Sequence, residues 1–281
     1  MLSTTDHRRD AAGLTYVYPV ISRRSDGLSI GVNLNPNNAC NWRCVYCQVP
    51  DLQRGSAPPA DLQRLRWELS GFLRSVLDGS FYESFQVPRE KRTLRDIAIS
   101  GNGEPTSAPN FSQVVDVIAE VAEDVGLPQS VRRILISNGS LMRRALVQRA
   151  LSRWSEIGGE VWFKLDSGTE AGRRRINDVN LASGVVLTNL EVAARLCPLW
   201  IQTCAFGFDG AAPTLEERSA YLAFLGKALL RHIPLHGVLL YGLARPSMQV
   251  EAPRLSALPA AWMEAFAAEI RQLGLDVRIS L

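Results

Sequence analysis

Three cysteines fall within eight positions, Cys40-Asn-Trp-Arg-Cys44-Val-Tyr-Cys47, in a chain that has five in all. Thiolates are soft ligands, and several in one loop can converge on a metal centre, as they do around iron–sulfur clusters. A four-iron cluster normally takes four cysteines, so a three-cysteine loop leaves one iron for another ligand. A zinc site with a distant fourth ligand is the alternative, although structural zinc usually shows paired CxxC knuckles. The odd count, the crowding and the lack of an apolar leader in "MLSTTDHRRDAAGLTY" do not suit a disulfide framework. None of the three histidines, His7, His232 and His236, stands in a paired ligand spacing, so no hydrolytic zinc site is visible.

Other chemistry-bearing residues follow short apolar runs. After "DIAIS" comes Gly101-Asn-Gly103-Glu104-Pro105-Thr106. Glycines there let backbone amides approach a ligand closely. The third glycine of a dinucleotide fingerprint is missing and Glu104 would repel a pyrophosphate, so the carboxylate suits an ammonium partner instead. After "RRILIS" comes Asn138-Gly139-Ser140, where Asn138 is a cofactor contact or a turn residue. Lys164 and Asp166 lie two apart on a strand and so share a side, as a ligand-binding acid–base pair or as an internal salt bridge. Gln202, Thr203, Tyr241 and Arg245 sit where a substrate would be lined, and an arginine there holds a carboxylate or phosphate in bidentate fashion, or pins its own loop. Cys197 and Cys204 read as buried, unreactive thiols.

These residues need elements to position them. Short apolar runs alternate with stretches of helical period, with no internal repeat. Strands are predicted at 28–34, 96–100, 132–137, 160–165, 199–204, 235–241 and 276–280. Helices are predicted at 61–77, 111–126 and around 141–154, 184–195, 215–231 and 260–273. The first shows one apolar face: Leu62, Leu65, Leu69, Phe72, Leu73 and Val76. Such alternation argues for a parallel sheet flanked by helices and closed or partly closed as a barrel of about six units, whose chemistry gathers at the carboxyl ends of the strands.

The motif CxxxCxxC with Tyr46 before its last cysteine resembles the signature of the radical S-adenosylmethionine superfamily. The resemblance implies an α/β fold, a partial (β/α)6 barrel over 28–241, with an N-terminal extension (1–27) and a C-terminal loop, helix and strand (242–281) closing the barrel. It implies a 4Fe-4S cluster on Cys40, Cys44 and Cys47, with S-adenosylmethionine chelated at the open iron. Reductive cleavage of that cofactor would yield methionine and a 5′-deoxyadenosyl radical that abstracts a substrate hydrogen. Tyr46 is then expected beside the adenine. Gly101, Gly103 and Glu104 resemble the GGEP segment that binds the cofactor's amino group, and Asn138 resembles the TNG stretch near the cofactor. Lys164 and Asp166 are expected to meet its carboxylate and ribose. The string "LDSGTEAGRRRIN" is similar to one in the branch of wyosine-base synthases and related iron–sulfur oxidoreductases. Catalytic residues proper stay unassigned.

With 46% hydrophobic residues, 21% charged residues and a net charge of +3, the chain reads as a globular, cytoplasmic protein without a membrane span. The expected partners are a small-molecule substrate and an electron donor such as flavodoxin or ferredoxin. Arginine-rich stretches at 89–95, 132–133, 143–149 and 173–175 track a nucleic-acid backbone or make solvated helix faces. The competing readings are tRNA base modification, glycyl-radical activation of a partner protein, and non-catalytic electron transfer.

Overall fold

A computed structural model describes residues 12–22 and 27–281. Eight strands form one sheet in chain order: β1 (Val17–Ser22), β2 (Gly27–Val32), β3 (Leu94–Ile99), β4 (Arg132–Ser137), β5 (Gly159–Lys164), β6 (Leu199–Cys204), β7 (Leu235–Tyr241) and β8 (Asp276–Ser280). Only β1 is antiparallel to its neighbour; β2 to β8 run parallel. The sheet curls into an open half-barrel, a mixed α/β architecture. Parallel strands are buried on both faces, which is why β2 and β6 read as continuous apolar-rich runs with every residue buried.

Helices α1 (Leu62–Leu77), α2 (Phe111–Asp124), α3 (Ala145–Glu156), α4 (Glu170–Asn177), α5 (Ser183–Leu196), α6 (Leu215–Leu230) and α7 (Ala260–Arg271) connect the strands. Their starts follow local chemistry. The Asp61 carboxylate caps α1 through the Arg64 backbone N–H, and Thr214 with Glu217 forms a capping box on α6. Of the expected α1 face, Leu65, Leu69, Phe72, Leu73 and Val76 are buried against the sheet, each contributing about 1.5–3 kcal/mol, while Leu62 stays at its margin.

The same face carries a charge the apolar pattern did not foresee. Glu68 is buried and accepts hydrogen bonds from the backbone N–H groups of Thr15, Tyr16 and Val17, with Arg64 at 2.9 Å. That nest pins the start of β1. Of the expected N-terminal extension, 1–11 and 23–26 lie outside the described residues, His7 among them. In the described part, β1 pairs with β2 over six residues from Val17↔Val32 to Ser22↔Gly27. At the other edge β8 joins β7. No helix of the described residues is long and apolar enough to cross a membrane.

Candidate active site

The cysteine loop leaves the end of β2 and is tied down by asparagines, whose side chains both donate and accept. Asn33 Oδ1 accepts from the backbone N–H of Asn35 and of Asn102, each at 3.0 Å. Asn35 donates to the Ala39 carbonyl at 2.8 Å, and Asn102 donates to Asn38 at 2.7 Å. The loop after β3 is thereby laced to the loop after β2. Gly101 and Gly103 serve this interlock: a Cβ at Gly101 would lie 2.2 Å from Asn33 Oδ1, and one at Gly103 would lie 2.1 Å from the Ala39 carbonyl. The close approach read from these glycines is made to the protein's own loop.

A cavity of about 310 Å³ runs along the inner face of the half-barrel and opens at the carboxyl ends of the strands. Cys40, Cys44, Cys47, Tyr46, Gly101, Gly103, Glu104, Asn138, Lys164, Gln202, Tyr241 and Arg245 all line it. Of the residues expected to hold metal, cofactor or substrate, Asp166 and Thr203 do not. The strand β5 ends at Lys164, so the alternation that would align Asp166 with it stops there. The Asp166 carboxylate instead accepts from the Tyr46 hydroxyl, from Asn177 at 2.7 Å and from the Cys204 backbone N–H at 3.0 Å. It braces the wall. Thr203 faces the helix side of the sheet, bonded to the Leu165 carbonyl at 2.9 Å and to the Tyr221 hydroxyl at 2.6 Å, where it lines a smaller cavity of about 110 Å³. Adjacent strand residues point to opposite faces, so Gln202 and Thr203 cannot both meet one ligand.

The apolar part of the lining, its floor, is Ala98, Ile134, Ile136 and Trp162, which pack with Trp200 and Leu239. Lys164 reaches across to the Tyr241 hydroxyl at 3.3 Å and sits 5.0 Å from the centroid of the Tyr46 ring. Burial works against its charge, but Tyr241, Asp166 and the thiols of Cys44 and Cys204 more than reverse this, and the ammonium stays above the ordinary lysine range. Burial pushes the Cys40 thiol up to about 11 and the Cys44 thiol up to about 12. A bound cation reverses that tendency, because a coordinating thiol is deprotonated outright. Among the described residues no three His, Cys, Asp or Glu side chains stand as a group that could hold a metal ion together.

Glu104 is 2% exposed and its carboxylate already has four donors: Thr106 through N–H and hydroxyl, the Ser137 hydroxyl at 2.7 Å and the Asn138 N–H at 2.6 Å. Burial raises its pKa while these donors oppose the rise. It joins the end of β3 to the end of β4. The Asn138 amide donates to Asn41 at 2.8 Å, tying the β4 end to the cysteine loop.

Three further contributors escaped sequence reading. Asn177, at the end of α4, donates to the Cys44 sulfur at 3.2 Å as well as to Asp166. The carbonyls of Ile176 and Asn177, left open by the helix end, accept the N–H groups of Val45 and Arg43. The Cys204 thiol lines the cavity too, whereas Cys197 lies apart, bonded to the Gly159 carbonyl at 3.3 Å. Finally, the segment after β7 clamps the cysteine loop. Ser247 donates to the Val45 carbonyl at 2.7 Å, Met248 N–H to the Cys47 carbonyl at 2.8 Å, and Glu251 takes Arg43 in a two-point ion pair. The asparagine-rich string 33–41 and the "RIN" ending at Asn177 were the available signals. For Ser247 and Glu251 nothing local pointed to the cysteines.

Several arginines of the basic stretches lie in ion pairs: Arg92 with Glu83, Arg132 with Asp96, Arg174 with Glu170 and Arg175 with Glu217.

No family model matches the sequence. A UPF0026 protein of Helicobacter pylori is 28% identical over 150 residues, 53% of this chain and 41% of that protein. The chain thus covers well under two thirds of that relative. Among solved structures, a radical SAM methyltransferase from Sphaerobacter thermophilus matches with a TM-score of 0.61 at 13% identity, over 96% of this chain and 70% of that one. Streptococcus suis SuiB bound to S-adenosylmethionine matches at 0.56 and 10% identity, over 91% of this chain and 47% of that one. TYW1 with a lysine-pyruvate adduct matches at 0.57 and 14% identity, over 88% and 74%. At these identities the likeness is one of fold alone.

Proposed function

We propose that the protein is a radical S-adenosylmethionine enzyme whose Cys40, Cys44 and Cys47 hold a 4Fe-4S cluster, with S-adenosylmethionine and a substrate sharing the cavity beside them. The observation that carries this reading is the convergence of the three thiols, a half-buried lysine and a polar inner wall on one cavity at the strand ends of that fold. When bound, cluster and cofactor together supply a one-electron cleavage of the sulfonium and a carbon radical that takes hydrogen from the substrate. The chain's own residues do the positioning. Three thiols suit a cluster better than a lone ion, because each cluster ligand binds a different iron.

Lys164 offers its ammonium to the cofactor's carboxylate, in a site dry enough for the charge pair to count. The Tyr46 ring, its hydroxyl held by Asp166, forms a fixed wall for the adenine. Glu104 lines the same cavity and is the candidate for the amino group: three of its four bonds fall on Oε1, so Oε2, bonded only to the Asn138 N–H, keeps acceptor capacity. The apolar floor keeps water from a radical once formed. A tRNA substrate, an activase role or an electron-transfer role has no separate support in the geometry.

The test is anaerobic: reconstitute with iron and sulfide, reduce with dithionite, add S-adenosylmethionine and identify the nucleoside by mass spectrometry. The expected product is 5′-deoxyadenosine, and its formation should cease in Cys40→Ala, Cys44→Ala and Cys47→Ala. Intact cofactor beside a fully formed cluster would overturn the enzyme reading.

A further inference from the structure

Among the described residues, the inner wall contains a polar side chain whose oxygen the protein itself leaves unpaired. Gln202 is 2% exposed, lines the main cavity, and its carboxamide oxygen has no hydrogen-bond partner among the described residues. Buried polar groups are normally paired, so an orphan in a cavity wall points to a ligand. Its placement is rigid. Gln202 pairs in register with Lys164 on β5 and with Leu239 on β7, and Thr203 next to it is locked to the outer face. Lys164, the one cation beside it, turns to Tyr241 instead. Ile136, Trp162, Trp200 and Leu239 around it are apolar. A leucine would fill this position without leaving a polar atom unpaired, so folding alone does not account for the glutamine.

We propose that Gln202 is a specificity-determining residue that reads an amide-type edge of the substrate: a hydrogen-bond donor beside an acceptor on a flat frame. A carboxamide has one acceptor oxygen and two N–H donors side by side, and an amide edge returns both bonds in one plane. A carboxylate answers only the NH₂ and sets its second oxygen against Oε1, and an anion is better served by Lys164. A ketone also lacks the donor. A flat frame suits the floor, where Trp162 and Ile136 line the same cavity. This assignment rests on the cavity being a substrate site, as in the function proposed above.

The experiment uses the full chain, anaerobically reconstituted with S-adenosylmethionine present, and four flat probes read by saturation-transfer NMR and tryptophan fluorescence. These are benzamide, 2-pyridone, acetophenone and benzoate. Benzamide or 2-pyridone should bind at least tenfold tighter than acetophenone or benzoate, because a site built around paired polar groups rejects a ligand that leaves them unmet. A lead for 2-pyridone assigns a cyclic amide, and a lead for benzamide a primary one. Gln202→Leu should erase the preference. Gln202→Glu, which keeps size and acceptor but removes the donors, should weaken amide binding should the leucine variant not fold.

Equal affinity for all four probes, no binding of either amide, or a preference that survives Gln202→Leu overturns the assignment. A separate titration settles the remaining competitor: more than a tenfold loss of S-adenosylmethionine affinity in Gln202→Leu gives the carboxamide to the cofactor and overturns it too. None of these readouts uses cofactor cleavage, so a failure here is distinguishable from a failure to form 5′-deoxyadenosine.

Discussion

Cys197 and Cys204 sit at either end of one strand region and meet opposite fates. Cys204 faces the cavity wall beside Asp166 and Tyr241, and burial raises its pKa. Cys197 is buried against Gly159, and burial pushes its thiol up to about 12. The sign of the linkage follows. The folded thiol keeps its proton where the unfolded one, near 8.5, has lost it. The stabilisation is therefore whole below about pH 8.5 and drains away as pH rises towards 12, by at most about 1.4 kcal/mol per pH unit. Urea unfolding of the wild type and Cys197→Ala should show a gap that narrows between pH 8 and pH 10.5, and a constant gap would refute the burial account. At this scale much was legible. The motif cysteines, Lys164, Gln202 and Tyr241, all singled out from the sequence, line one cavity. Asp166 was legible as special, but its carboxylate lies outside that cavity, held by Tyr46, Asn177 and the Cys204 N–H, and spacing along a chain does not say where a strand ends.

Between elements, the two loops after β2 and β3 act as one unit. Asn33 and Asn102 bond across 69 positions of sequence, and the glycines on either side of Asn102 leave the room. Gly103→Ala places a methyl carbon 2.1 Å from a backbone oxygen, which no side-chain rotation relieves. The expected cost is about 1–3 kcal/mol, read by chemical denaturation, together with a shifted Cys40 and poorer cluster yield on reconstitution. Unchanged stability would mean that the loops do not interlock.

The alternation of strand and helix made the sheet order readable, since parallel strands in sequence order follow from apolar runs and helical periods. Among the elements named above, β1 and α4 were missed. β1 is hidden by Pro19, tolerable because β1 is an edge strand, and its anchor Glu68 reads as an ordinary charge on a helix. The short α4 lies in an arginine-rich string whose apolar face is too small to show a period.

Over the whole molecule, the chain's last sixth returns to its first. Ser247, Met248 and Gln249 bond the carbonyls of Val45, Cys47 and Val49, and Glu251 holds Arg43. Ser247→Ala strands buried carbonyl partners and should cost about 1–3 kcal/mol. Its sharper signature is faster loss of the cluster's visible absorbance on exposure to air, with S-adenosylmethionine affinity after reconstitution little changed. Retention matching the wild type would show that the clamp plays no part in holding the loop.

That clamp also orders events in time. Its bonds join residues 200 or more positions apart. A ribosome delivers the thiols early and their latch late, at about 5–20 residues per second, so for some ten seconds or more the nascent loop exists without its brace. Iron loaded in that interval would meet a loose, solvent-washed ligand set. For a cluster held on these thiols, as proposed above, the architecture favours assembly as a finishing step, once the clamp has closed over the loop.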